Sequence, residues 1–230
     1  MLKKIIVSLF KEKLPEINNL QQLPDDVFYE YILERGIMLL RGFFRFGRFC
    51  FIGKNVCVKC KKRIKLGKFA TIHDGSYIDA SSQKGIIIED YCTLGRNTYL
   101  RTGNVSSYQG YFIMRTRSSC NNNCFLGATG GLEIGENVLI GPNVTIITEK
   151  HNYEDIDAVI KEQGILQIPV TIENNVWIGA NVVVLGGVVI KEGAIIGAGS
   201  IINKSVNSKE IVAGNPARLI KKRDEGTPDS

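Results

Sequence analysis

Apolar residues recur along this chain with a step of six. From residue 172 they stand at Ile172, Ile178, Val184, Ile190, Ile196 and Ile202, and two positions before each come Val170, Val176, Val182, Val188, Ala194 and Ser200. An earlier run places Ile134, Ile140 and Ile146, with Leu132, Val138 and Val144 as companions. A weaker run gives Ile88, Leu94 and Leu100, and Ile52, Val58 and Ile64 keep the same step. This period matches neither the 3.6-residue turn of a helix nor the two-residue alternation of a single strand. It matches short strands joined by tight corners, each strand sending one side chain inward. Gly135, Asn137, Gly141, Asn143, Gly179 and Asn181 mark the corners, where positive φ is tolerated. The chain is therefore expected to be all-β, a parallel β-helix solenoid of hexapeptide repeats with three hexads per triangular turn and about seven turns over residues 50–203.

The step breaks once, between Ile146 and Val170. Residues 148–169 form a long polar excursion that begins Thr148-Glu149-Lys150-His151-Asn152-Tyr153. Loops of this length inside a compact domain are often functional, and His151 stands where the excursion leaves the coil. A lone histidine reads as a surface residue, but an anchored position outside the packed interior makes His151 a catalytic candidate. The other histidine, His73, lies in the early coils in Thr71-Ile72-His73-Asp74-Gly75 and reads as structural.

A stack of coils needs its ends covered, which assigns residues 1–48 to an N-terminal helical cap or membrane-associating region. The solenoid spans 49–205 and a strand or tail segment spans 206–230. Pro24-Asp25-Asp26 opens a helical stretch to Glu34, since proline and acidic residues suit a helix start. Charge then adds a second reading of the N-terminal region. From Gly36 to His73 there is no acidic residue, while Arg41, Arg45, Arg48, Lys54, Lys59, Lys61, Lys62, Arg63, Lys65 and Lys68 are basic. The whole chain is only +6, so the remainder is net acidic. Arg41, Arg45 and Arg48 form one stripe if helical, among Met38, Leu39, Leu40, Phe43, Phe44 and Phe46. A peripheral membrane contact through residues 36–68 fits that pairing of basic and aromatic residues. A plain cap fits it too. No nucleic-acid motif accompanies the charge.

Composition excludes other classes. Of the 230 residues, 44% are hydrophobic and 23% charged, values of a folded soluble domain. No apolar run approaches the roughly 20 residues of a membrane span. The apolar run Ile5–Phe10 is shorter than a typical export signal core, so the chain reads as unexported and cytoplasmic. Its six cysteines then read as reduced thiols. The pairs Cys57/Cys60 and Cys120/Cys124 fall within the repeat and read as wall residues, with no metal site expected.

Four ordered motifs carry a resemblance. The stretch His151-Asn-Tyr-Glu through Gln163-Gly164, the run Pro169-Val-Thr-Ile-Glu-Asn-Asn-Val-Trp177-Ile-Gly-Ala, the segment Ile196-Gly-Ala-Gly-Ser200, and Val212-Ala-Gly-Asn-Pro216-Ala-Arg218 resemble the hexapeptide-repeat acyltransferases. The resemblance is nearest to the branch that O-acetylates sugars and surface polysaccharides, and it covers about residues 88–222. It implies a left-handed parallel β-helix and acetyl-CoA as co-substrate, without a metal. It also implies a carbohydrate acceptor and a homotrimer with active sites between neighbouring coils. His151 matches the family's general base. Asn121, thirty residues earlier, matches an acceptor-binding asparagine, with Asn122 and Asn123 leaving the register open. Trp177 matches a tryptophan beside the acyl donor; an apolar wall role is the alternative. Ala180 is expected to offer a backbone N–H to the thioester oxygen. Ala198, with Gly199 and Ser200, makes room for the pantetheine arm; Lys204 and Arg218 meet phosphates, and Pro216 lies beside the adenine. Glu154, Asp155 and Asp157 are all candidates to orient the base. The basic N-terminal extension tilts the acceptor toward a surface glycan. The resemblance thus implies a sugar O-acetyltransferase; N-acetylation of an amino sugar nucleotide and a non-catalytic scaffold are the alternatives.

Overall fold

The computed structural model describes residues 3, 20, 22–103 and 108–224. The run Ile5–Phe10, most of the rest of 1–21 and the end of the tail, 225–230, lie outside the described residues.

Short parallel strands, mostly of two or three residues, build three sheets that wrap one core. The first face has nine strands, the second seven and the third six. Successive strands of the chain go to successive faces, so each coil contributes one strand to each. The parallel β-helix expected from the period of six is what forms. Every one of Ile172, Ile178, Val184, Ile190, Ile196 and Ile202 is buried, as are the small or β-branched companions from Val170 to Ser200. The inward column runs on through Ile146, Ile140, Ile134, Leu100, Leu94, Ile88, Ile72, Ile64 and Ile52, while Val58 is only partly buried. Each such side chain contributes about 1.5–3 kcal/mol of burial, provided a neighbouring coil covers it. Corner asparagines adopt positive φ at Asn97, Asn123, Asn137, Asn143, Asn175 and Asn181.

From Asp25 onward the N-terminal segment is one helix, α1 (Asp25–Phe46), in place of a stretch ending at Glu34. Gly36 does not break it; the helix ends at Gly47, whose left-handed φ of 67° lets its N–H reach the Phe43 carbonyl at 2.8 Å. Arg48 therefore lies beyond the helix, and the expected stripe of three arginines reduces to Arg41 and Arg45. Helix α1 lies against the first coil. Gly42 is buried there, and a Cβ at that position would strike the Cys50 carbonyl. Arg45 Nη1 donates to the Val56 carbonyl at 2.8 Å, and Arg48 Nη1 to that of Leu66 at 3.4 Å. The Arg35 guanidinium sits 3.6 Å over the Phe51 ring. These contacts make the arginines ties between helix and coil. Leu33, Ile37, Leu40 and Phe44 stay exposed along α1, the last three lining a cavity with residues 52–56 of the first coil. Among the described residues, no helix is long and apolar enough to cross a membrane.

The cysteines divide. Cys50, Cys92, Cys120 and Cys124 are buried wall residues, and burial pushes the Cys50 and Cys92 thiols up to about 11, leaving both protonated at neutral pH. Cys57 and Cys60 are exposed, contrary to the wall reading. Cys57 precedes the inward Val58 and so points out, and Cys60 occupies a left-handed corner position at φ 55°. Among the described residues no group of three or more potential metal ligands lies together.

Candidate active site

The excursion is not structureless. Glu149–His151 pairs antiparallel with Ile165–Gln167, so that His151 faces Ile165 across a hairpin. The hairpin leaves the prism at the edge between the second and third faces. Its root is fastened in three places. Thr148 is fully buried, its hydroxyl donating to the Gly127 carbonyl at 2.7 Å and accepting from the Gly130 N–H at 2.8 Å. Thr129 donates to the Glu149 carboxylate at 2.7 Å, and Arg101 reaches the same carboxylate at 3.3 Å. Farther out, Asn152 donates to the Gln163 carbonyl at 3.0 Å, and the Gln163 amide ties Asp155 and Ala158. His151 is thus an exposed side chain on a stiffened arm.

Two of the three acidic candidates for orienting His151, Glu154 and Asp155, have other partners. Glu154 accepts from the Tyr153 N–H at 3.0 Å and pairs with Lys150 at 3.6 Å, contacts that hold its carboxyl below the usual range. Asp155 accepts from the Asp157 N–H at 3.0 Å. The latch residue Glu149 was missed by sequence reasoning. Nothing in a period-six pattern distinguishes a carboxylate that braces a hairpin root from one in solvent.

A second group lies on a different edge, between the first and second faces. The first face carries Thr93, Ser119, Leu139 and Trp177 in one outward column, each paired with the next. Trp177 is 54% exposed and so faces out from the coil. The adjoining corner column runs His73, Gly95, Asn121, Gly141, Gly179. All of these residues but Gly179 line a cavity of about 420 Å³, with His73, Asn121 and Trp177 in its walls. The three asparagines separate by role. Asn121 lines the cavity while its Oδ1 accepts from the Asn122 N–H at 2.7 Å. Asn122 also reaches the cavity, its Oδ1 capping the Arg96 N–H at 2.8 Å. Asn123 supplies the left-handed corner at φ 61°.

Ala180 sits at the next corners of the same edge. Lower down, the corresponding N–H groups are capped by a side chain: Lys54 by Asp74 at 2.7 Å and Arg96 by Asn122. Above Ala180 the neighbour is Ala198, which has no acceptor to offer. Below it, Gly141 has no side chain, and a Cβ there would stand 2.7 Å from the Ala180 nitrogen. The Ala180 N–H therefore meets no capping side chain among the described residues. Ala198 is exposed and Gly199 has open space around it, whereas Ser200 is buried, donating to the Gly197 carbonyl at 2.6 Å. Ser200 belongs to corner packing.

Pro216 lies in the turn between the antiparallel strands Glu210–Gly214 and Ala217–Lys222, exposed at the same edge as Ala198. Arg218 is exposed beside it, folding back on the Ala217 carbonyl at 2.9 Å. Lys204 is exposed too, but it follows the strand Ile201–Ile202 of the second face and so shares the edge of His151. The eight residues singled out from sequence fall into two sets. Asn121, Trp177, Ala180, Ala198, Pro216 and Arg218 line one edge of the prism, and His151 and Lys204 stand on another.

Residues 169–204 match the family model described as bacterial transferase hexapeptide (six repeats). The chain is 32% identical over 144 residues to galactoside O-acetyltransferase of Escherichia coli, an alignment covering 62% of this chain and 70% of that protein. It is 30% identical over 169 residues to a putative acetyltransferase of Saccharomyces cerevisiae, covering 73% and 83%. Among solved structures, the N-acyltransferase AntD of Bacillus cereus, in complex with an amino-sugar nucleotide and coenzyme A, shares the fold. Its TM-score is 0.53 at 20% identity, covering 80% of this chain and 88% of that one. Coils, hairpin and sequence likeness converge, and the chain belongs to the hexapeptide-repeat acyltransferases.

Proposed function

We propose that this enzyme transfers an acetyl group from acetyl-CoA to a sugar hydroxyl, in the synthesis of a bacterial surface polysaccharide. The observation that carries the reading is the division of the site between two edges. One edge holds a cavity, a tryptophan and an uncapped N–H; the other holds an imidazole on a braced arm. Two edges of a single prism point away from each other. Side by side in a homotrimer, one edge of each subunit meets the other edge of its neighbour and completes the site.

In that cleft His151 takes the proton of the acceptor hydroxyl as its oxygen attacks the thioester carbonyl, a role that typically contributes 10²–10⁴-fold. The Ala180 N–H donates to the oxygen that becomes negative in the tetrahedral intermediate. The C–S bond then breaks, and the proton held on His151 goes to the departing thiolate. Ala198 and Gly199 leave space for the pantetheine arm. Lys204 and Arg218 serve the coenzyme phosphates as charge-assisted donors, and Pro216 forms the wall beside the adenine.

Acetyl-CoA at 100 times its dissociation constant is expected to add about 2.7 kcal/mol of apparent stability, read as a rise in Tm. A flat titration rejects the reading, since a scaffold without a coenzyme site predicts one. The acceptor is found by comparing the mass of the native surface glycan with and without this enzyme, where the acetyl increment should vanish.

Peripheral membrane contact through residues 36–68 rests on the exposed stripe Leu33, Ile37, Leu40 and Phe44 beside Arg41. Because Arg45 ties the helix to the coil and Arg48 ties the turn that follows it, the exposed apolar residues make the cleaner probe. Leu40→Ser with Phe44→Ser is expected to reduce co-sedimentation with vesicles containing anionic lipid several-fold while Tm holds. Equal sedimentation of variant and parent leaves α1 as a cap alone.

A further inference from the structure

His73 was set aside on sequence as a structural residue, yet its side chain reaches the same cavity as Asn121 and Trp177. The geometry follows from the coil ladder. Thr71, Thr93 and Ser119 are register partners on the first face. The residues two places on, His73, Gly95 and Asn121, continue the ladder through His73 N–H to the Leu94 carbonyl and Gly95 N–H to that of Cys120, both at 2.9 Å. At the usual strand spacing, His73 and Asn121 stand about 9.5 Å apart along the prism. Between them Gly95 has no side chain, and a Cβ there would strike the Asn121 backbone, so the gap is enforced by coil packing. Thr93 and Ser119 line the floor of the gap with hydroxyls.

This is a trough with one polar side chain at each end, bare backbone in the middle and hydroxyls alongside. With a hydrogen bond of about 2.8 Å at each end, that length holds one pyranose ring between His73 and Asn121, beyond the ring at Asn121 itself. We propose that His73 forms the far end of a second acceptor subsite, which holds the sugar unit next to the acetylated one and makes the enzyme selective for a disaccharide or longer glycan. The inference rests on the sugar O-acetyltransferase reading and extends it to the size of the acceptor. Burial, then the nearby Arg35 and Arg96, push the His73 imidazole below its ordinary pKa. It is therefore neutral at pH 7, with one nitrogen to donate and one to accept, the pairing that a sugar hydroxyl answers.

The test uses the full chain with acetyl-CoA and four acceptors: glucose, galactose, maltose and lactose. His73→Ala is expected to lower the ratio of kcat/KM for disaccharide over monosaccharide about tenfold, through KM, the scale of one lost neutral hydrogen bond with its partner left unpaired. His73→Gln, which keeps a donor and an acceptor, should recover part of that ratio. A ratio within twofold of the parent in both variants overturns the subsite. A second readout needs no turnover. With only two histidines in the chain, imidazole NMR signals are assigned by one variant each. The His73 signal should shift with maltose or lactose and much less with glucose or galactose. A His73 signal silent to both disaccharides overturns the subsite even if acetylation proceeds. Failure of the parent to acetylate any of the four counts against the acceptor class instead, and the NMR titration still decides the trough.

Discussion

Replacing His151 with alanine is expected to lower kcat/KM for the acceptor by at least about 10²-fold while leaving the fold intact. The two halves of that expectation have separate causes. The side chain is exposed at the end of a short strand, and no described side chain hydrogen-bonds its imidazole. Its loss should therefore change stability by no more than about 0.5 kcal/mol. The hairpin itself is held by Thr148 and by Glu149 with its partners Thr129 and Arg101. These contacts do not involve His151, so the arm keeps its place. What disappears is the one imidazole on that arm. An alcohol needs this help because it is a poor nucleophile until deprotonated. His151→Gln should lose as much as His151→Ala, because an amide can hold the hydroxyl but cannot take its proton. Near-parental turnover by either variant would remove the base from His151. A loss confined to a few-fold would point to an amine acceptor, whose nitrogen attacks without a strong base. The measurement is steady-state transfer with thiol release, alongside Tm for each variant.

The coils were legible because inward positions in a β-helix are decided by one requirement repeated at every corner. Ile172 to Ile202 keep six-residue spacing without a miss, and all six are buried. The excursion was legible as an interruption of that spacing. Its internal structure was not, because Glu149–His151 and Ile165–Gln167 pair through backbone groups that carry no side-chain signature. The helical stretch expected to reach Glu34 runs on to Phe46 through Gly36, although glycine is costly in helices in general. At this site a Cβ would meet nothing within 4 Å, and packing of the rest of the helix outweighs the propensity. Trp177 and His73 share a different difficulty. Both stand outward on coils whose inward residues are regular, and a period of six says which residues face in but not what gathers outside. That Trp177, Asn121 and His73 meet at one cavity depends on counting coils across the residues between them. Gly95, a corner glycine in the sequence, is also the gap that joins His73 to Asn121. The position of Cys57 was decidable in principle, because it precedes an inward residue and so must point out.

Phe112→Ala should test whether the coils hold together as neighbours in a line. Phe112 is among the largest fully buried side chains, and on the third face its partners are Ile86 in one direction and Leu132 in the other. Truncation removes contacts to both adjoining coils, with an expected cost of about 3–5 kcal/mol. In a globular core that loss would lower one common transition. In a solenoid, stability is a sum of coil terms and nearest-neighbour terms, so weakening one junction separates what lies on either side. The coils up to residue 101 should then unfold at lower denaturant than the coils from 132 onward. Trp177 is the chain's only tryptophan and lies in the later set, so its fluorescence reports those coils alone, whereas far-UV circular dichroism reports all. In the parent the two signals should coincide; in Phe112→Ala the dichroism midpoint should precede the fluorescence midpoint. Phe112→Leu, which keeps most of the volume, should show a smaller loss and a smaller separation. Coincident midpoints in Phe112→Ala would mean that coupling runs farther than adjacent coils. Helix α1, tied to the first coil through Gly42 and Arg45, would then stabilise the catalytic coils from the opposite end of the prism.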